Sequence, residues 1–196
     1  MLYEDLKVIT MPEKETVSVD RSSAYRLLHP MRTVLVSCVS NAGKPNIITL
    51  AWAMPTSITP PLVAISVLPK RFSHLLIEET KEFVVNIPTI DMLKQTFYCG
   101  KVSGRDRDKF KEAALTPLPA KKVKPPIIKE CVAHLECKLY SQFTTGDHTV
   151  IVGEVLEAYA DRKAFNGETY NINEAKMVFY LGGNAFATLQ PKVLTP

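Results

Sequence analysis

The pattern of apolar and polar positions predicts strands more often than helices. Thr33 to Ser40 reads TVLVSCVS, a β-branched run suited to a pleated, half-buried surface. Asn41 to Pro45 supplies turn residues. A second strand starts at Asn46, so the two form a hairpin. Leu62 to Leu68 is almost continuously apolar, which predicts a strand buried on both faces. Phe83 to Ile87 is a further strand. Ile127 to Phe143 and Thr149 to Tyr159 predict two long strands, joined at Thr144 to Asp147 by a tight-turn composition. Met177 to Leu181 is the last strand, before Gly182 and Gly183.

Helical signals are shorter and cluster in the middle of the chain. Ala24 to Met31 predicts a helical turn that ends before Pro30. His74 to Glu82 reads as a short helix with Ser73 at its N-cap. Pro88 and Thr89 open a second helix over Ile90 to Phe97. Ser103 to Asp106 loosely matches a capping pattern, and Arg107 to Leu115 continues it. Leu115 to Pro126 holds four prolines and reads as a connector. Residues 1–24 are weakly periodic, either an edge strand or a packed arm. Hairpin spacing rather than βαβ units predicts a mainly β fold, an antiparallel barrel with inserted helices. One domain is expected over residues 1–196, with its core at about residues 31–181.

Composition alters this picture little. Hydrophobic residues make up 46% and charged residues 22% of the chain, ordinary for a globular protein. No apolar run approaches the roughly 20 residues that span a bilayer. The opening MLYEDLKVITMPEKE is too acidic for a secretory signal, so the expected location is the cytoplasm, with no membrane partner. The net charge of +4 owes much to Lys121, Lys122, Lys124 and Lys129 near the connector, which reads as a solvated linker. It carries no interleaved aromatics, which argues against nucleic acid as a partner. None of the four cysteines (Cys38, Cys99, Cys131, Cys137) forms a C-x-x-C pair, so no metal site is expected. Cys131 and Cys137 fall six apart on one expected strand, about 20 Å from each other, too far for a disulfide. Buried free thiols in a reducing compartment are expected.

Candidate chemistry lies in four segments. Asn46 to Leu68 carries Asn46, Thr49 and Trp52 where a plain strand would not need them. Lys70-Arg71-Phe72-Ser73 places two cations and a hydroxyl before a helix N-terminus, a natural anion site. Ser103 to Phe110 (SGRDRDKF) alternates charges at helical spacing, with Lys109 beside Phe110. Gly146-Asp147-His148 heads a strand, and His148 is the candidate for proton handling; no other catalytic residue is assigned. Neither G-x-G-x-x-G nor G-x-x-x-x-G-K-[ST] is present.

In order and spacing, GKPNIITLAWAMPTSITPPLVAISV, KRFSH, FVVNIP, SGRDRDKF and GDHTVIVGEV resemble the flavin reductase-like family of FMN-binding split barrels. Within that family the flavoredoxin and archaeal ferric reductase branches are nearest. The resemblance runs from about Met31 to Leu181. It implies a Greek-key split barrel that dimerises, with one FMN per subunit. Asn46, Thr49 and Trp52 would line the flavin. Ser73, with Lys70 or Arg71, would hold the phosphate. Lys109 and His148 would reach the cofactor, and Tyr180 would pack beside it. The implied activity passes electrons from NADH or NADPH through FMN to flavin, ferric iron or a protein acceptor. A carrier that exchanges electrons without oxidising NAD(P)H fits the same residues.

Overall fold

The computed structural model describes residues 17–195. The arm or edge strand expected in residues 1–24 falls largely on residues 1–16, outside the described range. Arg21–Leu28 forms a 3-10 helix, with the Asp20 carboxylate accepting from the Ser22 N–H at 2.8 Å.

Strand β1 (Met31–Arg32) is short. β2 (Val34–Val39) and β3 (Pro45–Leu50) form the first hairpin. β4 (Ala53–Ser57) and β5 (Leu62–Val67) form the second. Helix α1 (Phe72–Thr80) then carries the chain to β6 (Glu82–Ile87), which pairs with β2. A 3-10 turn at Ile90–Met92 leads into α2 (Leu93–Lys101), and α3 (Lys109–Glu112) is a single turn. β7 (Pro117–Leu118) pairs with β8 (Ile127–Ile128). β9 (Ala133–Thr145) and β10 (His148–Ala160) make a long hairpin. β11 (Phe179–Gly182) and β12 (Ala185–Ala187) join β1 in a three-stranded sheet.

The main sheet has seven strands in the order β3-β2-β6-β9-β10-β5-β4, every neighbour antiparallel. The sheet is open, yet β3 and β5 line one cleft despite lying far apart in that order, so it curls round on itself. This is the antiparallel barrel that the strand pattern predicted, in the split form that the family resemblance implied. The crossing from β5 to β6 is its Greek-key step.

Several elements differ from expectation. α1 starts at Phe72 with Arg71 at the cap position, and Ser73 lies inside the first turn, where it takes a hydrogen bond from Asn46 instead of capping. α3 is capped by Asp108, whose carboxylate accepts from Lys111 N–H at 3.1 Å, and Ser103 belongs to the preceding turn. The strand expected from Ile127 breaks between β8 and β9, and Cys131 stands in that break rather than on a strand with Cys137. β4 and β12 had no clear signal. β5 is buried at Ala64, Ile65 and Val67 but only half-buried at Leu62, Val63 and Ser66, because it faces the cleft and neighbours the edge strand β4.

β2 is buried along its whole length, and the two sides feed different clusters. Val36 and Cys38 point into the barrel with Ile65, Phe83, Ile151 and the α1 residues Leu76 and Ile77. Leu35 packs on the other side with Ile47, Cys99 of α2 and Phe110 of α3. The second cluster fixes α2 and α3 against the outer side of β3, beside the cleft. Inside the barrel, a Cβ built on Gly153 would stand 2.5 Å from Phe83 Cζ and 2.9 Å from Cys137 Cβ. Gly153→Ala is therefore expected to destabilise the fold by about 1–3 kcal/mol through overpacking, read as a lower urea midpoint.

The connector is strapped to the sheet rather than being a plain solvated linker. Glu136, fully buried on β9, accepts from the N–H groups of Lys121 (2.9 Å) and Lys122 (2.6 Å) and from the Tyr159 hydroxyl (2.8 Å). Burial alone would raise its pKa. These donors more than offset burial and hold the carboxyl below its ordinary value. The lysine side chains of the connector stay exposed.

Candidate functional site

The main cleft, about 360 Å³, opens between β3, β5, the start of α1 and the end of α2. Of the nine residues singled out in the sequence, seven line it: Asn46, Thr49, Lys70, Arg71, Ser73, Lys109 and His148. They come from four parts of the chain, and the curl of the sheet brings them together.

Asn46 lies on β3 and is 3% exposed. Its Nδ2 donates to Ser73 Oγ at 2.8 Å, tying β3 to the first turn of α1. Ser73 thereby accepts, and its own hydroxyl proton remains available to a ligand. Asn46 Oδ1 is buried without a partner among the described residues. A Cβ on Gly104 would come within 2.0 Å of that oxygen, so only glycine lets the 103–104 turn approach so closely. An orphaned buried amide oxygen costs about 1–3 kcal/mol, which marks this wall of the cleft as one that a donor should complete. Thr49, three residues along, has its hydroxyl committed to Thr96 O of α2 at 2.6 Å.

Lys70 and Arg71 are exposed at the rim, just before α1. The uncapped first turn of α1 adds backbone N–H groups and the positive end of its dipole to the same corner. Lys109, by contrast, is 5% exposed. Its Nζ donates to Ile47 O at 2.8 Å and Cys99 O at 2.7 Å, so that among the described residues one of its three donors has no acceptor. Burial lowers the Lys109 pKa from its ordinary value, and the positive charge of Arg71 adds to this. An anion in the cleft would relieve both effects. Cys99 lines the cleft as well, with burial pushing its thiol up to about 11 against the pull of Lys109, so it is protonated at neutral pH.

His148 is the first residue of β10 and half-buried. Its Nδ1 lies 2.6 Å from Asp147 Oδ1, and the histidine holds the Asp147 carboxyl below its ordinary value. Trp52 does not line the cleft. Its ring packs on His148 at 4.7 Å between centroids, with Tyr25 edge-on behind it at 5.6 Å. Trp52 thus supports His148 from behind, because the chain bends out of β3 at Ala51 before β4 begins. Tyr180, on β11, lies outside the cleft and lines an adjoining compartment of about 350 Å³.

The sequence reading missed the end of α2. Gly100, Lys101, Val102 and Gly104 line the cleft, and Lys101 reaches both compartments. The two glycines bracketing Lys101 to Ser103 were the available signal. Among the described residues, no group of three or more His, Cys, Asp or Glu side chains could hold a metal ion. No helix among them is long and apolar enough to cross a membrane.

Comparison with known proteins gives the same class. Residues 25–182 match the model of the family described as flavin reductase like domain, and the chain belongs to that family. It is 43% identical over 141 residues to a protein of Archaeoglobus fulgidus without an assigned function, covering 69% of this chain and 78% of that one. Its fold is similar to that of flavoredoxin from Desulfovibrio vulgaris (TM-score 0.82, 25% identity, 93% of this chain and 97% of that one). It is likewise similar to the FMN-binding domain of a flavin reductases-like enzyme from Shewanella baltica (TM-score 0.76, 25% identity, 92% and 97%).

Proposed function

We propose that this protein binds FMN in the main cleft and acts as an oxidoreductase, taking electrons from NADH or NADPH and passing them to flavin, ferric iron or a protein acceptor. The observation that carries this reading is the unfinished polarity of the cleft: the partnerless Asn46 Oδ1, the free Ser73 proton and the Lys70–Arg71 corner at the start of α1. A ligand with an anionic end and hydrogen-bonding polar groups would complete it. The cleft and its neighbour, about 360 and 350 Å³, lie within the range of ordinary cofactor pockets. The family supports the flavin, as do the names of the similar structures.

FMN, when bound, supplies the hydride and electron chemistry. In this reading Lys70, Arg71 and Ser73 hold the phosphate. Asn46 accepts a hydrogen bond from the ligand. Lys109 donates its remaining proton and places positive charge where a reduced ring system would carry negative charge. His148, oriented by Asp147 and supported by Trp52, is positioned to hold or move a proton at its Nε2. The protein works as a homodimer in this reading, and its four buried free thiols suit the reducing cytoplasm.

Protein loaded with FMN and washed should release it on denaturation; a flavin-free supernatant would sink the reading. Lys70→Ala with Arg71→Ala is expected to weaken FMN at least about tenfold while riboflavin affinity changes little. Equal losses for the two flavins, measured by fluorescence titration, would place the phosphate elsewhere. The similarity to flavoredoxin favours a second reading, a carrier that does not oxidise NAD(P)H. Rapid mixing of the FMN-loaded protein with each nicotinamide separates the two: bleaching of the flavin band supports the reductase, and no bleaching with either supports the carrier.

A further inference from the structure

Positive charge gathers round the mouth of the cleft beyond what one phosphate needs. The two segments that frame the mouth, residues 68–76 and 93–105, hold five Lys and Arg residues (Lys70, Arg71, Lys94, Lys101 and Arg105) and no Asp or Glu. All five are exposed. None of them forms an ion pair among the described residues, where the Lys and Arg pairs are Arg107–Glu112 and Lys121–Glu157. Two are held by rings instead. The Lys101 ammonium stands 4.9 Å over Phe97, and the Arg105 guanidinium 4.9 Å over Phe72, which lines the cleft. Arg105 thereby reaches from the 103–105 turn across to the start of α1. Lys94 precedes Lys101 by seven residues, two turns of α2, so it extends the positive face about 10 Å along the helix. Acids at the mouth are few: Asp147 feels the charge of Lys70 but is engaged by His148, and Asp106 follows Arg105 in the chain.

We propose that this rim docks an acidic redox protein as the electron acceptor, with Lys94, Lys101 and Arg105 steering the partner's carboxylates to the mouth. The inference rests on the flavin reading for what fills the cleft and for assigning its phosphate to Lys70 and Arg71, which leaves the other three cations to the partner. The spread of the charge favours a protein over a small anion. A phosphate or carboxylate touches one or two donors at once. These cations are distributed over two segments and stand in solvent, and Lys94 and Arg105 line neither compartment. Such an arrangement acts as a field, which speeds and orients encounter more than it adds affinity. A pyridine dinucleotide entering the cleft would draw instead on Arg71 and Lys101, the members that line it. The field is centred on the opening through which a bound cofactor is reached, so a steered partner arrives where electrons leave. A basic protein is repelled by the same charge.

The test mixes FMN-loaded protein, reduced with one equivalent of dithionite, with rubredoxin (a small acidic one-iron protein) or with basic cytochrome c. Dithionite supplies two electrons. Each iron(III) takes one and becomes iron(II), so one loaded chain reduces two partner molecules and its protons pass to solvent. Iron reduction is followed by stopped flow as NaCl rises from about 10 to about 500 mM. The rate constant for rubredoxin is expected to fall at least about tenfold over this range, and that for cytochrome c to rise or stay level. Lys94→Glu with Arg105→Glu should lower the rubredoxin rate at low salt at least about fivefold and flatten its salt dependence, with FMN content and NADP+ affinity unchanged. Calorimetry of oxidised rubredoxin with the oxidised protein reads docking without electron transfer, and the same variant should weaken it. A rubredoxin rate indifferent to salt, an equal fall for cytochrome c, or an unchanged rate in the variant overturns the proposal. A variant that lost NADP+ affinity but not rubredoxin would likewise overturn it and assign the rim to a dinucleotide. Protein that retained no FMN would defeat the flavin reading. Salt-sensitive rubredoxin binding to that protein, lost in the variant, would leave the docking surface standing, and its absence would overturn that too.

Discussion

Lys109→Met is expected to cost about 2–4 kcal/mol of folding stability and, in the same variant, to weaken FMN by at least about tenfold. The stability loss follows from what the ammonium does in the fold. β3 ends the seven-strand order, so among the described residues its outer edge has no neighbouring strand, and Ile47 O of β3 is paired by Lys109. Cys99 O belongs to the last turn of α2, where carbonyls have no partner within the helix and a cation is favourable. One buried lysine therefore satisfies a strand edge and a helix end together. Methionine matches its length and apolar stem but leaves both carbonyls unpaired, each at roughly 1–3 kcal/mol. The fall in affinity follows from losing the third donor and the charge beside Asn46 and Ser73. Urea unfolding of the flavin-free protein reads the first effect, and titration under conditions where the variant is folded reads the second. Lys109→Arg should recover part of the affinity, since it keeps the charge. A methionine variant that bound FMN normally would reduce Lys109 to a structural role.

Where the chain announced its structure, the signal was local. The β2–β3 hairpin was readable because a β-branched run met recognisable turn residues, and the β9–β10 hairpin because period-two alternation did. The places it did not announce depend on partners far away in the chain. Ser73 has the composition of an N-cap, yet Asn46, 27 positions earlier, takes its hydroxyl and moves the helix start to Phe72. β4 contains Pro55, which argues against a central strand; it survives because it forms the other edge of the sheet. β12 has only three residues and exists by pairing with β11. At the site, residue types with unusual polarity on strands were legible, and seven of nine converge on the cleft. Trp52 was not placeable because two residues of bend separate β3 from β4 and decide on which side the ring falls. The role of Gly104 was equally hidden, since it is set by the reach of the Asn46 side chain from another strand.

Stability is expected to fall as the pH drops from 6.5 towards 5, before most carboxylates titrate, and His134 is the cause. His134 is on β9, 7% exposed, with Nδ1 2.8 Å from Asn86 Oδ1. Asn86 is fixed in orientation: its Nδ2 donates to Leu35 O, Val84 O and Ser37 Oγ, and its Oδ1 also accepts from Ile128 N–H. His134 must therefore donate from Nδ1, and it is burial that keeps the ring neutral in the fold. Burial lowers its pKa from the ordinary 6.5 to about 4, with Glu136 pulling weakly the other way. The unfolded chain takes up the proton near pH 6.5 and the folded chain near 4, so the unfolded state binds more protons in between. The stabilisation is fully present above 6.5 and is lost as the pH falls through this window. After allowing for residual solvent screening, the loss is on the order of 1 kcal/mol by about pH 5. Glu136, whose carboxyl is also depressed, adds its own loss only at lower pH. His134→Asn keeps an N–H near the Nδ1 position but cannot titrate. Its urea midpoint should therefore stay nearly level between pH 6.5 and 5 while that of the parent declines. Parallel curves for the two proteins would show that the decline comes from another group.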